Sequence, residues 1–134
     1  MRILVVGCGR LGSLLAEYLE SDGHEVNMVD NRSGAFHRLP AEFKGKTVLG
    51  NGIDQDVLRE AKAEDSDILI VATDSDNTNI MAALVGQKIL HIPRVLARIY
   101  DQTRTASYQN YGIETFSPTE LVAGLMRDSI RKGN

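Results

Sequence analysis

Apolar and polar positions follow a repeating order along the chain: a short apolar run, then a segment with helical spacing. Residues 2–6 are apolar after one charge, as in a strand buried on both faces. Leu11, Leu14, Leu15, Tyr18 and Leu19 then predict a helix over 11–19, closed by Ser21-Asp22-Gly23. Residues 26–29 predict a second strand that stops at Asp30. A weaker helix is expected over 34–43, bent near Pro40. A third short strand covers 47–49, and Asp54 is placed to cap a helix over 55–63.

The second half repeats the pattern. Residues 68–72 predict a fourth strand, followed by the polar loop Thr73-Asp74-Ser75-Asp76-Asn77. A long helix is expected over 78–90, with Ile80, Met81, Leu84, Val85 and Ile89 on its apolar side. A fifth strand (95–99), a polar helix (102–110) and a sixth strand (113–116) follow. Ser117-Pro118-Thr119-Glu120 is a capping box with proline at the first helical position. The closing helix, 121–131, carries Leu121, Val122, Leu125, Met126 and Ile130. Strands alternating with helices imply an α/β fold. The expectation is a doubly wound Rossmann fold: a six-stranded parallel sheet of order 3-2-1-4-5-6 with helices on both faces. Residues 1–134 are used up by that single nucleotide-binding domain.

Composition narrows the class. The chain has 134 residues, 43% hydrophobic and 25% charged, which fits one soluble globular domain. A net charge of −3, with scattered basic residues, argues against a dedicated nucleic-acid binder. Cys8 is the only cysteine, so an internal disulfide or a multi-cysteine metal site is excluded, and a reducing cytosol suits the chain. No leader pattern precedes the first strand, and no apolar stretch approaches the ~20 residues that span a bilayer.

Gly7-Cys8-Gly9-Arg10-Leu11-Gly12 matches G-x-G-x-x-G between a strand and a helix. In that setting Gly7 permits the tight turn, Gly9 lets the backbone approach a pyrophosphate, and Gly12 allows close helix–strand packing. The phosphates would lie on the helix N-terminus, where free N–H groups favour anions. Arg10 in the loop is a candidate phosphate contact. Asp30 stands where an acid binds the adenosine ribose hydroxyls, and its charge disfavours a 2′-phosphate. Asn31 and Arg32 follow it, and Arg32 would soften that repulsion. NAD(H), ADP or ATP is therefore expected over NADP. Cys8 fills the variable position of the loop; a redox-sensor role is the alternative.

Familiar catalytic motifs are missing from the sequence. No tyrosine has a lysine four residues later, and neither a Gly-x-Ser-x-Gly elbow nor a complete Gly-x-x-x-x-Gly-Lys-Ser/Thr phosphate loop occurs. His24, His37 and His91 lie in separate segments without metal spacing. Asp74, Asp76 and Asn77 after the fourth strand are candidates for cofactor contact or for helix capping. Arg98, near the end of the fifth strand, is placed to meet a phosphate or a carboxylate.

Several segments together resemble the N-terminal domain of TrkA and Ktr proteins, the RCK or KTN family. They are the opening Met-Arg-Ile-Leu-Val-Val-Gly-Cys-Gly-Arg-Leu-Gly, Gly50-Asn51-Gly52-Ile53-Asp54, Ala72 to Asn79, Val95-Leu96-Ala97-Arg98 and Ser117-Pro118-Thr119-Glu120. The resemblance implies a cytoplasmic, non-enzymatic regulatory subunit at the inner face of the cell membrane. Such a subunit binds NAD(H) or adenine nucleotides, gates a membrane potassium channel or transporter, and assembles as dimers into rings. It also implies that Gly7, Cys8, Gly9, Arg10, Leu11 and Gly12 form the phosphate loop and that Asp30, with Asn31 and Arg32, serves the ribose. Asn51, Gly52 and Ile53 would border the adenine, with Thr73, Asp74, Asn77 and Arg98 along the far side. One departure is Asn51, where the family usually has an acid. Two other readings stay open: the cofactor half of an NAD-dependent dehydrogenase, and a free-standing nucleotide or redox sensor with a non-membrane partner.

Overall fold

A computed structural model describes residues 1–133. Six strands, β1 (Arg2–Val6), β2 (Glu25–Asp30), β3 (Thr47–Leu49), β4 (Ile68–Val71), β5 (Arg94–Arg98) and β6 (Glu114–Phe116), form one sheet. Their order is β3-β2-β1-β4-β5-β6, and every pair is parallel. The doubly wound order is therefore the one the alternation predicts.

The central strand shows why the sheet has two covered faces. Side chains alternate across a strand. Ile3 and Val5 enter one core with Ala16, Val26 and Met28, while Leu4 and Val6 enter the other with Leu58, Leu69 and Ile80. Helix α1 (Arg10–Ser21) covers the first face through Leu11, Leu15 and Leu19. Helices α2 (Gln55–Glu60) and α3 (Asp76–Leu84) cover the second through Leu58, Ile80, Ala82 and Ala83. With four of its five residues almost wholly buried, β1 is a continuous apolar run rather than an alternating one.

Four helical segments differ from the pattern-based expectation. The segment after β2 is a 3₁₀ helix, Ser33–Arg38, not an α-helix over 34–43. Leu39 precedes Pro40 and is extended at φ −73 and ψ 145, as the proline ring demands. The helix expected over 55–63 stops at Glu60; Lys62 is left-handed at φ 65, and a 3₁₀ turn, Ala63–Asp65, follows. The long helix begins at Asp76 rather than at residue 78 and passes at Val85–Ile89 into a π turn. The polar segment 102–110 divides into a 3₁₀ turn, Gln102–Arg104, and the short α4 (Thr105–Gln109).

The last helix, α5 (Pro118–Lys132), starts from the expected cap: the Ser117 hydroxyl accepts from the Glu120 N–H. It buries no residue of its own, and Leu121, Leu125 and Met126 are 55%, 69% and 64% exposed. No helix among the described residues is long and apolar enough to cross a membrane.

Candidate functional site

A cleft of about 1220 Å³ opens at the carboxyl ends of β1, β2, β4 and β5, where the strand order reverses. Open α/β sheets bind ligands at this edge. The glycine loop forms its floor. Gly7 has φ +105, a conformation that L side chains rarely adopt, and a Cβ there would meet Ala72 and Thr73 backbone atoms at 2.8 Å. Its N–H donates to the Val29 carbonyl at 2.7 Å, which pins the turn to β2. At Gly12 a Cβ would stand 1.7 Å from the Gly7 carbonyl oxygen, so only glycine lets α1 approach β1.

Gly9 differs from both. A Cβ added there would meet nothing within 4 Å. Gly9 is also the N-cap of α1, with no side-chain cap and no acidic residue in the first turn. The first N–H groups of a helix have no intrahelical partner. Here they lie bare at the cleft with the positive end of the helix dipole behind them. The cradle and the orphan donors fit a diphosphate.

Asp30 joins two walls of the cleft. One carboxylate oxygen accepts from the Cys8 N–H at 2.7 Å and the other from the Arg32 N–H at 2.9 Å. A carboxylate has about four lone-pair sites. Two remain for ligand hydroxyls, as a ribose would need. The Cys8 thiol points into the core below the loop and is pushed up to about 11, first by burial and then by the Asp30 charge, against a smaller opposing pull from Arg38. It stays protonated at neutral pH, which weighs against a thiolate redox sensor.

The far wall comes from β4 and β5. The Arg98 guanidinium lies 4.4 Å from the Tyr100 ring centroid, and its Nε is buried with no hydrogen-bond partner among the described residues. Burial lowers the Arg98 pKa, against the pull of Asp74 and Asp76. Across the mouth, Arg32 pairs with Asp74 at 3.4 Å, an exposed contact that adds little stability. Arg10 and Arg38 also line the cleft, and neither has an ion-pair partner among the described residues. The lining thus carries arginines 10, 32, 38 and 98 against Asp30 and Asp74, a balance suited to a multiply charged anion.

Most of the sequence-derived candidates meet on this wall: Gly7, Cys8, Gly9, Arg10, Asp30, Asn31, Arg32, Asn51, Gly52, Thr73, Asp74 and Arg98. Three lie off it. Leu11 packs into the core under α1, and Ile53 packs against the opposite core. Asn77 accepts from the Arg104 side chain at 2.9 Å. Asn51 is on the wall, but its side-chain oxygen accepts from the Ile53 N–H at 3.1 Å in a local turn. Sequence reading missed Ser33, Arg38 and Tyr100 on the wall and Asn79 behind it. Arg38 and Tyr100 carry no local motif. Asn79 had a signal, a polar residue beside Ile80, Ala82 and Ala83 on a core-facing helix.

The model of the TrkA-N domain family matches residues 3–117. The Trk system potassium uptake protein TrkA of Streptomyces coelicolor is 42% identical over 126 residues, spanning 94% of this chain and 56% of that protein. The chain thus spans about half the length of that curated relative. Among solved structures, the TrkA-N domain of the inner membrane protein ybaL from Escherichia coli aligns with a TM-score of 0.84 at 21% identity, over 95% of this chain and 94% of that one. The Kef CTD of Shewanella denitrificans, in its AMP-bound form, aligns with a TM-score of 0.77 at 19% identity, over all of this chain (100%) and 83% of that one.

Proposed function

The chain belongs to the TrkA-N domain family, and on that premise we propose that it is a nucleotide-binding regulatory module of a potassium transport system. Its ligand in this reading is NAD(H) or an adenine nucleotide, held in the cleft at the carboxyl edge of the sheet. The observation that carries the reading is the uncapped start of α1 at Gly9, with open space where a Cβ would stand and the Asp30 carboxylate beside it. The relative named for potassium uptake supplies the transport context.

In this reading Gly9 and the first turn of α1 receive the phosphates, and Asp30 accepts from the ribose hydroxyls. Arg10, Arg38 and Arg98 supply positive charge around the anion. Regulation requires that the ligand bind two conformations with different affinity. Ligands that share adenosine diphosphate but differ beyond it are told apart on the Arg98 and Tyr100 side. The module performs no reaction of its own and acts in the cytoplasm, at the inner face of the membrane, on a channel or transporter subunit. It works as a homo-oligomer, with the exposed apolar face of α5 lying against a second copy.

Calorimetric titration of nucleotide-stripped protein with NADH, NAD, NADPH, ADP and ATP tests the binding. The expected outcome is clear binding of NAD(H) or of adenine nucleotides, with NADPH weaker because Asp30 repels its 2′-phosphate. Absence of binding to all five would sink the nucleotide reading. Sedimentation at high protein concentration tests the oligomer, and a purely monomeric profile would remove the α5 assignment.

A further inference from the structure

The far wall of the cleft is held by a side chain that never reaches the surface. Asn79 on α3 is fully buried. Its Oδ1 accepts from the Thr73 backbone N–H at 2.9 Å and from the Thr73 hydroxyl at 2.6 Å. Its Nδ2 donates to the Thr73 carbonyl at 3.1 Å and to the Arg98 carbonyl at 2.8 Å. Those bonds use every donor and acceptor site that an amide offers. The reversed amide would set two donors against each other at the Thr73 N–H, so the orientation is fixed.

A buried polar side chain needs partners wherever it sits. What distinguishes Asn79 is the identity of its partners, since Thr73 and Arg98 both line the cleft. They lie at the ends of two different strands, and one amide locks them together. A second anchor on the same helix supports the arrangement: the Asp76 carboxylate accepts from the Tyr100 N–H at 2.7 Å and from the Asp101 N–H at 2.8 Å.

The geometry points to Asn79 as a positioning residue that sets the affinity of the cleft for NAD(H) relative to AMP. This inference rests on the nucleotide reading above. The adenosine side of a dinucleotide lies by Asp30, at the end of β2. The other half extends past the point of strand-order reversal, over β4 and β5. AMP occupies only the first side, which Asn79 does not touch. Asn79 acts on the second side by holding Thr73 and the Arg98 backbone in one fixed relation.

The test is calorimetric titration of wild type, Asn79→Ser and Asn79→Ala with AMP and with NADH. Serine can still meet Thr73 but is too short to reach the Arg98 carbonyl. Each variant is expected to bind AMP within about twofold of wild type and NADH about tenfold more weakly. Equal weakening of both ligands, or unchanged NADH binding, overturns the proposal. Failure of wild type to bind either ligand overturns the nucleotide reading itself and this inference with it. If neither variant folds, amide hydrogen exchange on wild type decides. NADH should slow exchange at Thr73 and across residues 98–101 together, and AMP at neither. Protection by NADH of only one of the two segments would overturn the coupling.

Discussion

Helices α1 and α3 both begin at the carboxyl edge of the sheet, on either side of the reversal in strand order, and both border the same cleft. Their first turns are built in opposite ways. In α3 the Ser75 hydroxyl accepts from the Thr78 N–H, and Asp76 places a negative charge at the positive end of the helix. In α1 the cap is Gly9, no side chain closes the turn, and the first helical residue is Arg10, a cation where the dipole favours an anion. The contrast teaches where the fold closes its own hydrogen bonds with a side chain and where it leaves them open. A local rule broken at one helix and obeyed at its neighbour is what a functional site leads one to expect, and the proposed function uses the α1 turn.

The comparison can be broken most severely at Gly12. Gly12→Ala would force α1 off β1, because the Gly7 carbonyl occupies the space of the new methyl. The expected loss is about 3 kcal/mol of stability, read from urea denaturation, with nucleotide binding lost alongside. A stability within experimental error of wild type would mean that the close approach of α1 to β1 is dispensable.

A sharper cut converts α1 into a helix like α3. Gly9 already has the extended backbone of a capping residue, at φ −86 and ψ −157. Gly9→Ser should therefore close the turn, gain a few tenths of a kcal/mol in stability, and weaken nucleotide binding at least about tenfold. A more stable protein that bound nucleotide as before would show that the open turn is not the phosphate site. The reciprocal variant, Ser75→Ala, should cost about 1 kcal/mol in thermal denaturation, since it leaves a donor of α3 uncapped. No loss there would remove the distinction between the two helices.

The smallest effect lies at the sheet edge, far from both helix starts. The Arg94 side chain binds the Glu114 carboxylate at 2.6 and 3.0 Å and holds its pKa below the ordinary carboxylate range. A carboxyl with a depressed pKa in the folded state binds fewer protons folded than unfolded. Its contribution is therefore present above the ordinary carboxylate pKa and is lost as pH falls through the lowered value. Both side chains are substantially exposed, so solvent screens the pair and the effect is small. Urea midpoints of wild type and Glu114→Gln should differ near neutral pH and converge between about pH 5 and pH 3. A difference that persisted at the acid end would show that Glu114 acts through packing.

The sheet was legible because its signals are local. Residues 3–6 and 68–71 are uninterrupted apolar runs, as strands covered on both faces require. The glycine loop and Asp30 were legible for the same reason, since a tight turn and a strand end each leave a mark in a few adjacent residues. The 3₁₀ segment after β2 was misread as an α-helix because the pattern of Ala35, Phe36 and Leu39 suits both, and Pro40 decides between them only through Leu39. Asn77 was placed on the cleft with Asp74, but the turn of α3 carries it toward Arg104 instead. Asn79, Arg38 and Tyr100 were missed because their roles depend on which strands end side by side. No spacing along the chain encodes that proximity.

The pairing of β1 with β4 bears on how the cleft comes into being. The backbone N–H of Arg2 bonds the Asp67 carboxylate across a separation of 65 residues. The intervening chain must be looped out and its closure entropy overcome before those strands meet. Contacts of such long range slow folding relative to local ones. The glycine loop, Asp30 and α1 belong to a stretch that is synthesised before β4 and β5, which bring the wall opposite them. A nascent chain carrying the first three strands alone holds half a cleft. In the proposed reading, a nucleotide can therefore reward the assembled domain but cannot guide its early folding steps.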